Sequence, residues 1–238
     1  MTTRLAALSF VLVACGACGD DGGGAAVDAP PITVDIDNGS CGDQLRFTGE
    51  YVDWDVDARF CGVADALFEV QGNGAMDTTA PNGRFDLCIA SAPAQVLLDI
   101  TPAAANSQCT TPASDYTLPG IAVATKAVIL GGGFWSGRNF TTARQASLGV
   151  TLDPTKAHVF VHVAGATPRA VALAAAHGPT QAVVATTWAA GDTGHEVFFP
   201  NVDVGSGTTM LSVTGGAIGT GSIPVAAGKI TNVTVISN

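Results

Sequence analysis

Charge is scarce in this chain, and positive charge most of all: Lys and Arg total 10 in 238 residues, against 20 Asp and Glu. The net charge of −10 repels a phosphate backbone, so nucleic acid is not an expected partner. The same sign disfavours docking of the polypeptide on anionic lipid, so a membrane location would have to come from a covalent anchor. Aromatic residues are few, at 6%. The one N-terminal apolar run, Leu5 to Ala14, is about ten residues long, half of what spans a bilayer. What the chain does have is small and apolar. Hydrophobic residues make up 47% against 13% charged, which predicts a folded chain and not a disordered one. They are mostly Ala and Val, set among 29 glycines, and this predicts many short strands joined by tight turns.

The start of the chain reads as an address. Arg4 precedes the apolar run, a length that fits a secretory h-region. The run closes on Leu12-Val13-Ala14-Cys15, which resembles the lipobox of bacterial lipoproteins. That resemblance implies cleavage after residue 14 and lipid modification of Cys15. Each buried CH₂ contributes about 0.8 kcal/mol, and two or more acyl chains, as the family's modification supplies, hold a protein stably where one does not. Cys18 is a weaker candidate, because Cys15-Gly16-Ala17 lacks a branched residue three positions upstream. The expected location is the bacterial cell envelope, at the outer membrane. Gly16 to Pro31 has almost nothing to bury and reads as a flexible tether, so residues 15–40 are expected to link the anchor to a folded part of about 200 residues.

Four further cysteines, Cys41, Cys61, Cys88 and Cys109, all lie in the first half. An even set in an exported chain predicts disulfides. Of three connectivities we favour the sequential one, Cys41–Cys61 with Cys88–Cys109, which closes two loops worth about 3 kcal/mol each. No Cys-x₂-Cys pair is present, and no histidine stands near these cysteines, so no metal site is assigned to them.

From Cys41 onward strand candidates recur. In the first half they are Leu45 to Val52, Ala66 to Val70, Arg84 to Ile89 and Gln95 to Ile100. Asn82-Gly83 is the strongest hairpin signal, since both residues tolerate a positive φ. Residues 103–119 read as a loop, and Ile121 to Leu130 as an apolar run ending in three glycines. Later candidates are Ala146 to Leu152, Ala157 to Val163, Ala170 to Ala174, Gln181 to Trp188, Glu196 to Phe199, Thr208 to Thr214, Gly221 to Val225 and Lys229 to Ile236. Ala170 to Ala176 has a helical turn as its alternative. Turns spaced this way predict an all-β fold of sandwich type. Gly83 to Leu87 with Ala94 to Ile100 also lies over Gly194 to Phe198 with Gly207 to Val213, at an offset of about 111 residues, as in two copies of one unit. The expected organisation is residues 41–144 and 145–238 as two tandem Ig-like or transthyretin-like sandwiches.

A family likeness attaches to the first copy. Ala66-Leu67-Phe68-Glu69-Val70, then Thr78-Thr79-Ala80-Pro81-Asn82-Gly83-Arg84-Phe85-Asp86-Leu87, then Val96-Leu97-Leu98-Asp99-Ile100 resembles the carboxypeptidase regulatory-like (transthyretin-like) domain. Gly49, Val52 and Asp53 stand where that family opens with G-x-V-x-D, at a different spacing. Phe198 to Gly205 resembles a later hairpin of the same family. The resemblance implies a seven-stranded sandwich and no catalytic residue.

Chemistry-bearing patterns are thin. Asp53, Asp55 and Asp57 alternate like the start of a calcium loop, but Ala58 and Ala64 occupy the glycine and glutamate places of an EF-hand. Asp35-Ile36-Asp37-Asn38-Gly39 is a second acidic turn that Asx geometry accounts for. His158 and His162 flank Phe160 in a β-branched run, where they would sit about 13 Å apart on one face, too far to chelate together. His195-Glu196 lacks the second histidine of a zinc helix, and Ser136 stands one place late for a nucleophile elbow. Gly131 to Gly133 has no following lysine to make a phosphate cradle. Some β-sandwich ring-cleaving dioxygenases hold iron with two tyrosines and two histidines, yet Tyr51 and Tyr116 stand apart from each other and from any histidine. Phe134, Trp135 and Phe140 are expected in a core or between domains, with an exposed stacking patch as the alternative.

The expectation is therefore a non-enzymatic, lipid-anchored binding or structural module with no cofactor. Its candidate ligands are a polysaccharide, a peptide or an envelope protein. The competing class is an exported hydrolytic or metal-dependent enzyme built from scattered Asp and His.

Overall fold

The computed structural model describes residues 41–53, 62–90, 94–102, 118–131, 134–139, 148–184 and 187–237. All lie within one compact unit, Ile36–Asn238. The fold is all-β apart from one short helix. In chain order the strands are β1 (Leu45–Asp53), β2 (Leu67–Val70), β3 (Met76–Thr78), β4 (Arg84–Ile89), β5 (Gln95–Thr101) and β6 (Gly120–Thr125). Helix α1 (Lys126–Leu130) and β7 (Trp135–Asn139) follow. The rest are β8 (Ala157–Ala164), β9 (Arg169–Leu173), β10 (Gln181–Val184), β11 (Thr187–Ala190), β12 (Thr193–Gly194) and β13 (Glu196–Val202), then β14 (Thr208–Val213), β15 (Ala217–Ile218), β16 (Gly221–Pro224) and β17 (Ile230–Ser237).

Three sheets result. A ten-stranded sheet runs β11-β10-β13-β8-β17-β6-β5-β2-β3, with β15 added beside β17. A three-stranded sheet runs β4-β1-β7, and a four-stranded sheet runs β12-β9-β14-β16. Period-2 alternation explains how they stack. On β6, Ile121 and Val123 join Val171, Leu211 and Ile223 of the four-stranded sheet in one core. The intervening Ala122 and Ala124 join Phe47, Tyr51, Phe85 and Trp135 of the three-stranded sheet in a second. The large sheet is therefore the middle layer, apolar on both faces. Its centre joins the two sequence halves, because β17 pairs in parallel with both β6 and β8. The expected boundary at 144/145 falls outside the described residues.

Strand β7 is an edge whose outward donors are capped by side chains. It pairs in parallel with β1, Gly49 opposite Trp135. On its other side Ser136 N–H donates to Thr234 Oγ1 at 3.1 Å and Arg138 N–H to Asn232 Oδ1 at 3.0 Å. Thr234 and Asn232 are fully buried residues of β17, and these bonds account for polar side chains in the middle layer.

Several expectations need correction. Cys41 is bonded to Cys88, with Cα atoms 5.3 Å apart, and not to Cys61. Antiparallel pairing of β1 with β4 sets Cys88 opposite Arg46, and the turn closed by Gln44 N–H on Cys41 O returns Cys41 to that point. Cys61 and Cys109 lie outside the described residues. The Asn82-Gly83 turn forms, with Gly83 N–H donating to Ala80 O at 2.8 Å. Its flanking strands nevertheless enter different sheets, β3 pairing with β2 and β4 with β1. Within Ala146 to Leu152, residues 148–152 form a turn and irregular backbone. Asn201 accounts for this, donating to Thr151 O and accepting from Asp153 N–H. Leu148 and Leu152 instead cover Phe160 and Phe198. Gln181 to Trp188 divides into the paired strands β10 and β11. The apolar run from Ile121 divides too: Thr125 Oγ1 accepts from Val128 N–H at 3.2 Å and caps α1. Ala170 to Leu173 is strand, paired with β14, so tertiary pairing overrides alanine's helical preference.

Candidate functional site

Alternation on β1 and β4 builds a polar outer face on the three-stranded sheet. Phe47, Tyr51, Phe85, Leu87 and Ile89 point into the core, which leaves Arg46, Thr48, Glu50, Arg84 and Asp86 for the other side. There Arg46 grips Asp86 across the two strands, Nε to Oδ1 at 2.9 Å and Nη2 to Oδ2 at 2.6 Å. This is the forked geometry that fixes both planar groups. Asp86 N–H donates to Asp77 Oδ2 at 3.0 Å, tying β3 to the same edge.

An open groove of about 570 Å³ runs along this face, lined by Arg46, Thr48, Asp77, Arg84, Asp86 and Phe134 among others. Phe134 is 42% exposed, whereas the adjacent Trp135 is fully buried. The aromatic trio therefore separates: Trp135 meets the expectation of a core residue, Phe134 presents its ring at the surface, and Phe140 lies outside the described residues. A second groove of about 620 Å³, between Val70 to Asn73 and Gln95 to Leu97, has no aromatic or charged lining residue.

A second concentration of polar groups is buried between layers. Arg138 forms an ion pair with Glu196, with 8% and 10% of the two side chains exposed. The guanidinium carbon also lies 5.8 Å from the Phe160 ring centre. Glu196 stands opposite His162 on the paired strands β13 and β8. Tyr51 Oη donates to Asn139 Oδ1 at 3.0 Å, and Asp53 opposite Asn139 is buried. These groups fasten β7 and β1 to the middle sheet.

His158 lies on the same strand as His162, fully buried. Burial pushes its pKa down to about 4, against the smaller opposing pull of the Asp153 carboxylate. The neutral ring accepts from Asn201 N–H through Nδ1 at 3.1 Å. Asn201 has a φ of 53° and sits in the register shift between Phe199 and Val202, so a bulge delivers this donor.

The other residues singled out from sequence do not converge. Ser136 is buried, its hydroxyl donating to Glu50 at 3.3 Å. His195 Nδ1 lies 3.3 Å from Val163 O. Cys15, Cys18, the Asp35–Asn38 turn, Asp55, Asp57 and Tyr116 lie outside the described residues. Among the described residues, no group of three or more His, Cys, Asp or Glu is placed to hold a metal ion, and no helix is long and apolar enough to cross a membrane. The groove itself was not foreseen. Its signal was available in the alternation Arg46, Thr48, Glu50 and Arg84, Asp86 beside buried partners. Neither protein-family models nor curated proteins give a match to this chain.

Proposed function

We propose that the chain is a lipid-anchored binding module of the bacterial cell envelope. Cys15 holds it in the outer membrane, and the outer face of the β4-β1-β7 sheet is presented to a ligand without turnover. The observation that carries this reading is the groove on that face. It combines a surface aromatic ring with a pre-set Arg–Asp pair on regular strands, and strands hold side chains more firmly than loops. The Arg4 to Cys15 segment and the Gly16 to Pro31 tether support the anchored, exported location. The likeness of residues 62–100 to carboxypeptidase regulatory-like domains belongs to the same reading, with the two hydrophobic cores taken as two sandwiches that share the large sheet.

Labelling with a radioactive fatty acid, followed by membrane fractionation, tests the anchor. The wild-type protein is expected to be labelled and to sediment with outer membranes, and Cys15→Ala to be unlabelled and released. Equal labelling and retention of Cys15→Ala would remove the anchor assignment.

A further inference from the structure

We infer that the β4-β1-β7 groove takes a neutral polysaccharide chain, stacked on Phe134 and hydrogen-bonded by the Arg46–Asp86 pair. This rests on the reading of that groove as the binding face. The first support is the ring. Gly49 pairs with Trp135, so the preceding residues Thr48 and Phe134 are neighbours, and both line the groove. One accessible aromatic face among polar side chains matches the C–H face of a sugar ring, which is apolar in its middle and hydroxylated at its rim. A protein partner of ordinary affinity needs about 800 Å² on each side with an apolar centre, and a single phenylalanine does not make one.

Charge is the second support. The charged lining residues are Arg46 and Arg84 against Asp77 and Asp86, which cancel. The chain as a whole carries −10. A polyanion meets no net attraction here, whereas an uncharged ligand loses nothing. The third support is preorganisation. Arg46 and Asp86 are already fixed against each other by bonds of 2.6 and 2.9 Å. Their remaining N–H groups and lone pairs need little further ordering to meet adjacent hydroxyls. The groove is open along its length, as suits a chain and not only its end.

The test is affinity electrophoresis of the full-length, detergent-extracted protein in gels holding dextran, galactomannan, xyloglucan or hydroxyethyl cellulose, with polygalacturonate as the acidic comparison. At least one neutral polymer is expected to retard the protein, and the retardation to persist in about 0.5 M salt, where exposed charge pairs are screened. Phe134→Ala is expected to weaken binding about ten-fold, within the range of one aromatic contact, and Phe134→Trp to keep it. Asp86→Asn is expected to weaken it while leaving the circular dichroism spectrum unchanged. No retardation by any neutral polymer, retardation indifferent to Phe134→Ala, or salt-sensitive preference for polygalacturonate would each overturn the inference. Photo-cross-linking from position 84 in cells separates this from the broader reading: an adduct there with no polysaccharide binding removes only the ligand class.

Discussion

Converting Glu196 to Gln removes the negative partner of Arg138 while keeping the side chain's size. Only 8% of Arg138 and 10% of Glu196 is exposed, and the guanidinium lies against Phe160, so water cannot replace the lost carboxylate. Breaking such a pair from one side costs about 3–5 kcal/mol, most of it the stranded charge. For a unit of this size each kcal/mol lowers Tm by about 2–4 °C, so a fall of roughly 6–20 °C is expected. Arg138→Met with Glu196→Leu removes both charges and their desolvation cost together. That double variant is expected within about 1 kcal/mol of wild type, because an apolar pair of similar volume is often neutral or better. Urea unfolding followed by far-ultraviolet circular dichroism gives both numbers, and the four-cornered cycle gives the coupling. Glu196→Gln within about 0.5 kcal/mol of wild type, or a double variant as damaged as the single, would refute the reasoning.

Three other predictions follow from single sites. His158 titrates near 6.5 when unfolded and about 4 when folded, so protons bind the unfolded chain more readily. Stability should be full above pH 6.5 and fall by about 3 kcal/mol towards pH 4; denaturation midpoints across that range should flatten in His158→Gln, and an unchanged slope would exclude His158 as the cause. Cys41–Cys88 closes a separation of 47 residues, worth about 4 kcal/mol in the chain-entropy model. Non-reducing peptide maps should show this pair, with Cys61–Cys109 as the remaining combination, and Cys88→Ser should lose most of that stability. Gly83 has a φ of 76°, and a Cβ there would lie 2.3 Å from Tyr51 O and 2.7 Å from the Gly62 Cα. Gly83→Ala should therefore cost about 3 kcal/mol or more by thermal melting, beyond a strained turn alone.

Strands with clean alternation were legible. Arg84 to Ile89 and Thr208 to Val213 each show every second residue buried, and one half-buried face is what composition encodes directly. Strand β7 was not legible, because Trp135 to Asn139 is buried throughout with an ion pair and side-chain caps doing the work of an apolar run. The disulfide was missed for a related reason: the β1–β4 pairing that brings Cys88 to Cys41 is long-range, and spacing along the chain carries no trace of it. At the groove, Phe134 and Trp135 are neighbours of one chemical type. Only the strand parity set by the β1 partner separates a surface ring from a core one.

The central claim is that the outer face of the three-stranded sheet is where this protein meets its ligand. The direct measurement places a photoreactive amino acid at Arg84, exposed in the groove, or at Met210, 55% exposed on the four-stranded sheet, in cells carrying the full-length protein. The account predicts a discrete adduct from position 84 that Phe134→Ala diminishes, with none from position 210. Adducts from position 210 alone, or from neither position, would contradict it.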